Sequence, residues 1–227
     1  MKVHNEFQQN SLEWLVARAG IPTASEFDNL VTPEWKIRTG ATPRSYIARK
    51  LAEAWLGGPL PGHMTIDMDI GRILESEAIP YYELTTNQQV QRVGFITTDD
   101  GKVGCSPDGM LDGCGLEIKC PAAHTHVGYL LNGTLPKEYA AQVHGGMFVT
   151  GFDRWVFMSY CRRFPPLILT VKRDEGIQET LLEATGLFLA DFECAWGELV
   201  ERNGGLPKRR KPELSGITCS ELEDIAP

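Results

Sequence analysis

The chain lacks the features that would mark it for a membrane, for secretion, or for a disulfide or zinc scaffold. Among its 227 residues no stretch approaches the roughly 18–20 uncharged apolar positions of a membrane-spanning helix, and Met1-Lys2-Val3-His4-Asn5-Glu6 has no apolar core of the secretory type. A cytoplasmic location is expected. The 6 cysteines, Cys105, Cys114, Cys120, Cys161, Cys194 and Cys219, form no C-x-x-C pair, which removes local support for zinc ribbons and thioredoxin-like redox sites. Cations are also scarce: 22 Lys and Arg stand against 30 Asp and Glu, a net charge of -8, so the bulk basicity of many nucleic-acid binders is missing. That deficit leaves a nuclease open, since such an enzyme needs local acidity to hold a cation and only a localised basic patch to hold phosphates.

What is present is ordinary globular usage, 42% hydrophobic and 23% charged, without internal repeats and at a length suited to one large domain. A single domain over residues 1–203 is expected, followed by a disordered tail over 204–227 that carries Lys208-Arg209-Arg210-Lys211. Asn10-Ser11-Leu12-Glu13 resembles a capping box, and Leu12, Leu15, Val16 and Ala19 recur at helical spacing until Gly20-Ile21-Pro22. Helical turns are predicted from Thr23 through Leu30, from Pro43 to Leu56, and from about Ile66 to Tyr82, where Pro80 argues for a kink or early end. Phe95-Ile96-Thr97-Thr98, a turn at Asp99-Asp100-Gly101, and Val103-Gly104-Cys105-Ser106 read as a hairpin, with further strands at Gly109-Met110-Leu111 and Leu116–Cys120. A helix from Pro136 to about Val149, strands at 155–160 and 167–171, and a last amphipathic helix from Ile177 to Arg202 complete a mixed α/β layer architecture.

The chemistry concentrates in Ser106-Pro107-Asp108-Gly109, followed nine residues after the Asp by Glu117-Ile118-Lys119. In a strand the period of two puts Glu117 and Lys119 on one face and sends Leu116, Ile118 and Cys120 into the core. Asp108, entering from the neighbouring strand, brings a second carboxylate to the distance a hard divalent cation needs. Asp108, Glu117 and one main-chain carbonyl make a donor set suited to Mg²⁺, which keeps waters and takes substrate phosphate as well. Lys119 beside it would orient an attacking water in metal-assisted phosphodiester hydrolysis. The same residues would also be read as a solvated ion pair beside an ordinary turn. His124-x-His126 with Cys120 lacks a fourth local ligand and reads as satisfied polar residues rather than zinc.

Five blocks in order decide between these readings: Thr23-Ala24-Ser25-Glu26, Gly71-Arg72-Ile73-Leu74-Glu75, Cys105-Ser106-Pro107-Asp108-Gly109, Gly115-Leu116-Glu117-Ile118-Lys119-Cys120-Pro121 and Tyr139-Ala140-Ala141-Gln142-Val143. Over roughly residues 10 to 175 the chain closely resembles the phage-lambda-type exonucleases, the viral alkaline exonuclease and recombinase branch of the PD-(D/E)XK nucleases. The resemblance implies a restriction-endonuclease-like α/β core, a central mixed β-sheet flanked by helices. It implies a processive 5′-to-3′ exonuclease on linear double-stranded DNA that leaves 3′ overhangs for recombination by strand annealing, in a phage or prophage protein of a bacterial host.

Residue by residue, it makes Asp108, Glu117 and the Ile118 carbonyl the metal ligands and Lys119 the catalytic lysine. It makes Glu75 an acid serving a second ion, with Mg²⁺ as cofactor and Mn²⁺ as substitute. Arg18, Ser25, Ser106 and Gln142 match a pocket for the terminal 5′-phosphate, a role suited to an Arg fork with small polar donors. The resemblance further implies a homotrimeric ring around DNA, its channel lined by Lys36, Arg38, Arg44, Arg49 and Lys50 with Met68 as a strand-splitting wedge, and a single-strand-annealing protein as partner. Two other functions remain open on the sequence: a metal-dependent endonuclease of the same fold, and a non-catalytic DNA-end-binding recombination protein.

Overall fold

The computed structural model describes the backbone of residues 1–61 and 66–206 and all their side chains except those of 66–73. The side chains of Met68 and Arg72, residues 207–227 of the expected tail, and Lys208-Arg209-Arg210-Lys211 lie outside the described residues.

Six α-helices and a 3-10 segment are described: α1 (Leu12–Arg18), the 3-10 segment Ala24–Asn29, α2 (Ala41–Leu56), α3 (Ile66–Thr86), α4 (Ala123–Asn132), α5 (Lys137–Thr150) and α6 (Glu175–Arg202). The start of α1 differs from the expected box. Ser11 is the cap, its Oγ accepting the Trp14 N–H at 3.2 Å, while Asn10 sits at φ 67, outside the extended region a capping residue adopts. α2 and α5 stop where Gly57 and Gly151 take the left-handed conformation, at φ 73 and 75, that side chains disfavour. The early end that Pro80 suggested does not occur: α3 continues four residues past Tyr82 to Thr86. Burial of Ala78, Ile79 and Tyr82 against the sheet holds the helix through the lost N–H of Pro80, which itself is exposed. α4 was not predicted.

Among the described residues seven strands form two sheets. β1 (Lys2–His4), β2 (Phe95–Thr97) and β3 (Gly104–Cys105) make an antiparallel sheet of three, and β1 was absent from the sequence reading because its residues are exposed and carry no alternation. β4 (Gly109–Leu111), β5 (Cys114–Lys119), β6 (Arg154–Ser159) and β7 (Leu167–Lys172) make a mixed sheet of four in chain order. β5 runs antiparallel to β4 and parallel to β6, with α4 and α5 as the crossover between them.

Helices cover both faces of the mixed sheet, and the apolar run of β6 divides between them. Trp155 and Phe157 face α5 and α6, in one core with Phe27, Val143, Met147, Leu181 and Phe188. Val156 and Met158 face α3 together with Leu116 and Ile118. Two-sided burial explains why the run reads as continuously hydrophobic rather than alternating. The Trp155 indole fills a slot without side chains: a Cβ on Gly115 would stand 2.3 Å from its ring and one on Gly146 2.6 Å. Gly115→Ala is therefore expected to destabilise the fold by about 1–3 kcal/mol through overpacking. Denaturant unfolding checks this, and an unchanged midpoint would show that the indole has room to move.

Candidate active site

The four-stranded sheet builds the site where β4 begins and β5 continues past it. Gly109 pairs with Leu116, so one further step of the antiparallel register sets Asp108 opposite Glu117, and directly opposed residues project to the same face. Two hydrogen bonds hold this step: the Asp108 N–H donates to the Leu116 carbonyl at 3.0 Å, and the Ile118 N–H donates to Asp108 Oδ2 at 2.6 Å. The carboxylate replaces the next backbone acceptor of a strand that is no longer there. Backbone groups of one strand residue leave on the same side, so the Ile118 carbonyl points past the end of β4, beside the Asp108 carboxylate.

Glu117 and Lys119 share a face as predicted. Glu117 is buried, at 3% exposure, and its Oε1 takes both the Lys119 ammonium at 2.7 Å and the Gln142 amide at 2.5 Å. Lys119 Nζ lies 5.3 Å from the centre of the Tyr139 ring, which stacks on Phe157, so the ammonium stands on an aromatic shelf supplied by α5 and β6. Glu75 comes from α3 on the other side of the sheet and lines, with Asp108, a cavity of about 400 Å³ between α3, the N-terminal segment and residues 92–94. Burial, then the charges of Glu117 and Glu75, push the Asp108 carboxyl well above the usual carboxylate range. Burial disfavours the Lys119 charge too, but Glu117, Asp108 and Glu75 outweigh it and hold its pKa above the usual amine value.

This arrangement fits a divalent cation. It gathers like charges that repel one another and offers them hard oxygen atoms only. Among the described residues no three His, Cys, Asp or Glu side chains gather closely enough to hold a metal ion by themselves, so the carboxylates would need a carbonyl and waters beside them. An open set of carboxylates plus a carbonyl is what Mg²⁺, which retains several waters, accepts. Asp108, Glu117 and the Ile118 carbonyl would hold it.

A second polar cluster lies beside the first. The Arg18 guanidinium donates to Ser106 Oγ at 3.3 Å, Thr23 Oγ1 at 3.2 Å and Ser25 Oγ at 3.3 Å, and stacks 4.0 Å over the Trp14 ring. Three of the four predicted phosphate-pocket residues thus meet around one guanidinium, with Thr23 joining them. The fourth, Gln142, donates to Glu117 and stands with the acids. Ser106 and Asp108 are two residues apart, so one short segment carries a donor of one cluster and an acid of the other. Sequence reasoning missed Gln9, whose Nε2 donates to the carbonyls of Val93 at 2.8 Å and Pro107 at 2.7 Å and so braces the peptide just before Asp108. It also missed Glu77, which receives Tyr160 Oη at 2.5 Å and Arg162 Nη2 at 2.6 Å and ties α3 to the end of β6. Neither lies in a motif that could have flagged it.

The model of the YqaJ-like viral recombinase domain matches residues 13–153, more than half of the chain and all the clustered residues. The chain belongs to the YqaJ-like viral recombinase family. Among solved structures it is similar to an alkaline exonuclease, LHK-Exo from Laribacter hongkongensis, at TM-score 0.77 and 28% identity over 86% of this chain and 98% of that one. The same protein in complex with dAMP matches equally well. A phage-related exonuclease from Haemophilus somnus 129PT shares the fold, at TM-score 0.62 and 12% identity over 79% of this chain and 96% of that one. Among curated proteins none matches the sequence. The fold is thus the restriction-endonuclease-like one expected for this family.

The basic residues assigned to a channel divide. Lys36, Arg44 and Arg49 are exposed; Arg49 pairs with Glu26 at 2.6 Å, and Arg38 donates Nε to the carbonyls of Asp28 and Val31. Lys50 contradicts the assignment: it is 4% exposed and bound to Glu26 and Glu53, because its position on α2 faces inward. His126 is buried, bonded to Ser159 Oγ at 2.7 Å and the Pro165 carbonyl at 3.0 Å, while His124 is exposed.

A carboxyl with a raised pKa binds more protons folded than unfolded. The cation-free protein therefore loses stability as pH rises from the usual carboxylate value through the raised pKa of Asp108. Without divalent cations, Asp108→Asn is expected to melt above the parent at neutral pH, with the gap closing in acid. Added Mg²⁺ should raise the melting temperature of the parent and not that of the variant. Thermal melts across pH check both, and a variant that melts lower at neutral pH would contradict the repulsion.

Proposed function

We propose that the protein is a Mg²⁺-dependent 5′-to-3′ exonuclease that digests one strand of linear duplex DNA from a 5′-phosphorylated end and leaves a 3′ overhang for strand annealing. The observation that carries this reading is the adjacency of the two clusters. A hydrolytic set of acids and a lysine stands two residues along the chain from a guanidinium and hydroxyl pocket suited to a terminal phosphate. An enzyme cutting within a strand has no use for a pocket shaped to a phosphate end. Membership of the recombinase family and the likeness to an alkaline exonuclease support it.

In this mechanism Arg18 grips the 5′-phosphate through its planar fork, with Thr23, Ser25 and Ser106 fixing the guanidinium. That grip places the first phosphodiester over Asp108 and Glu117. Asp108, Glu117 and the Ile118 carbonyl would hold Mg²⁺, which would supply polarisation of the scissile phosphoryl group and offset charge developing on it. Lys119 orients the attacking water on the side of Glu117 and offsets negative charge in the transition state. Gln142 fixes the Glu117 carboxylate, which would face the cation, and Glu75 would serve a second ion. Processivity follows from a homotrimeric ring enclosing the duplex, with Lys36, Arg38, Arg44 and Arg49 towards DNA and an annealing protein receiving the emerging strand.

A time course on linear duplex DNA with defined 5′-phosphate or 5′-hydroxyl ends, with and without Mg²⁺, reads polarity, end preference and metal dependence together. Loss of 5′-labelled nucleotide first, no cleavage of closed circular duplex, and no turnover in chelator are expected. Degradation of the circle would favour an endonuclease. Lys119→Ala should bind DNA yet lose about 10²–10⁴-fold in kcat, and full activity would end its assignment. Arg18→Ala should act mainly on the preference for phosphorylated ends, read from kcat/KM on the two substrates.

A further inference from the structure

The second cluster does not end at Arg18. Thr23 Oγ1 accepts from Arg18 and donates to Glu26 Oε2 at 3.3 Å, so a single hydroxyl separates the guanidinium from a carboxylate. Glu26 is held on all sides: Tyr46 Oη donates to it at 3.2 Å, Arg49 Nη2 stands at 2.6 Å, and Lys50 Nζ stands at 2.8 Å. The same ammonium reaches Glu53 Oε2 at 3.0 Å, and that oxygen accepts the Gly20 N–H at 3.0 Å, just after the end of the helix that carries Arg18. Burial opposes the Glu26 charge, but Lys50, Arg49 and Arg18 outweigh it and hold the carboxyl below its usual range. Of the partner cations, Arg49 is exposed and Lys50 is buried against the Tyr46 ring.

A carboxylate this close to a phosphate-gripping arginine is a rival ligand. Left uncompensated it would draw the guanidinium towards itself and repel the incoming dianion. We propose that Lys50 is a positioning residue for 5′-end recognition: together with the exposed Arg49 it neutralises Glu26, holding from the buried side the oxygen that faces Thr23, and so leaves Arg18 free for the terminal phosphate. This rests on the reading of Arg18 as the phosphate-binding residue. It gives Lys50 a role from inside the protein in place of the DNA-channel role its sequence context implied, and it makes Glu26 a determinant of end specificity that touches no substrate.

The measurement is the ratio of kcat/KM on 5′-phosphorylated to 5′-hydroxylated linear duplex, taken with Mg²⁺ on the full chain. Lys50→Met should lower the ratio about tenfold or more, the scale of one unscreened charge beside a phosphate, with the loss mainly in KM of the phosphorylated substrate. Lys50→Arg should keep the ratio within about threefold of the parent. The pair Lys50→Met with Glu26→Gln should restore it, because the charge that reaches Arg18 through Thr23 is gone, although Glu53 then lacks its ammonium. Glu26→Gln alone, which keeps the ammonium paired to Glu53, should hold or raise the ratio and serves where Lys50→Met does not fold. An unchanged ratio in folded Lys50→Met, no recovery in the folded pair, or a ratio lost in Glu26→Gln would each overturn the role of Lys50. Those results differ from failure of the underlying reading, in which the parent shows no preference or Arg18→Ala leaves the preference intact.

Discussion

The site depends on a substitution of side chain for strand. β4 starts at Gly109, and at the next position along β5 the Asp108 carboxylate takes the Ile118 N–H that a neighbouring backbone carbonyl would otherwise accept. That bond fixes the carboxylate in the plane of the sheet and keeps it opposite Glu117. It also leaves the Ile118 carbonyl without a strand to pair with on that side. The carboxylate takes this place because one strand begins a residue too late to satisfy its neighbour.

Convergence of acids is costly, and the fold answers it with rigid support rather than distance. Lys119 and Gln142 share one oxygen of a buried Glu117, and the Tyr139 and Phe157 rings carry the lysine from below. Glu75 is delivered by α3, whose position is set by Ala78, Ile79 and Tyr82 in the core and by Glu77 gripping Tyr160 and Arg162. Gln9 braces the peptide before Asp108. Groups held this firmly have little freedom left to lose when a ligand binds.

Two opposite charges occupy one end of the sheet: the carboxylates of Asp108 and Glu117 and the guanidinium of Arg18. Ser106-Pro107-Asp108 joins them, and on the far side of Arg18 the cations Lys50 and Arg49 balance the carboxylates Glu26 and Glu53 internally. The overall charge of -8 therefore says little about what this surface binds. Local arrangement, not the total, sets the potential that a DNA end meets.

Much of this was legible in the residues alone. The period of two placed Glu117 and Lys119 together, the apolar runs marked β6 and β7, and five ordered blocks identified the family and its fold, because each depends on spacing that the chain carries locally. Pro80, by contrast, argued for a kink or an early end, and packing against the sheet carries α3 past it. β1 and α4 carried too weak a pattern to be seen, since their stability comes from partners distant in sequence. The roles of Lys50, Gln9 and Glu77 were equally hidden. Which basic residue is buried, which amide braces a strand and which acid anchors a helix are settled by contacts between segments tens of residues apart, and no local period encodes those.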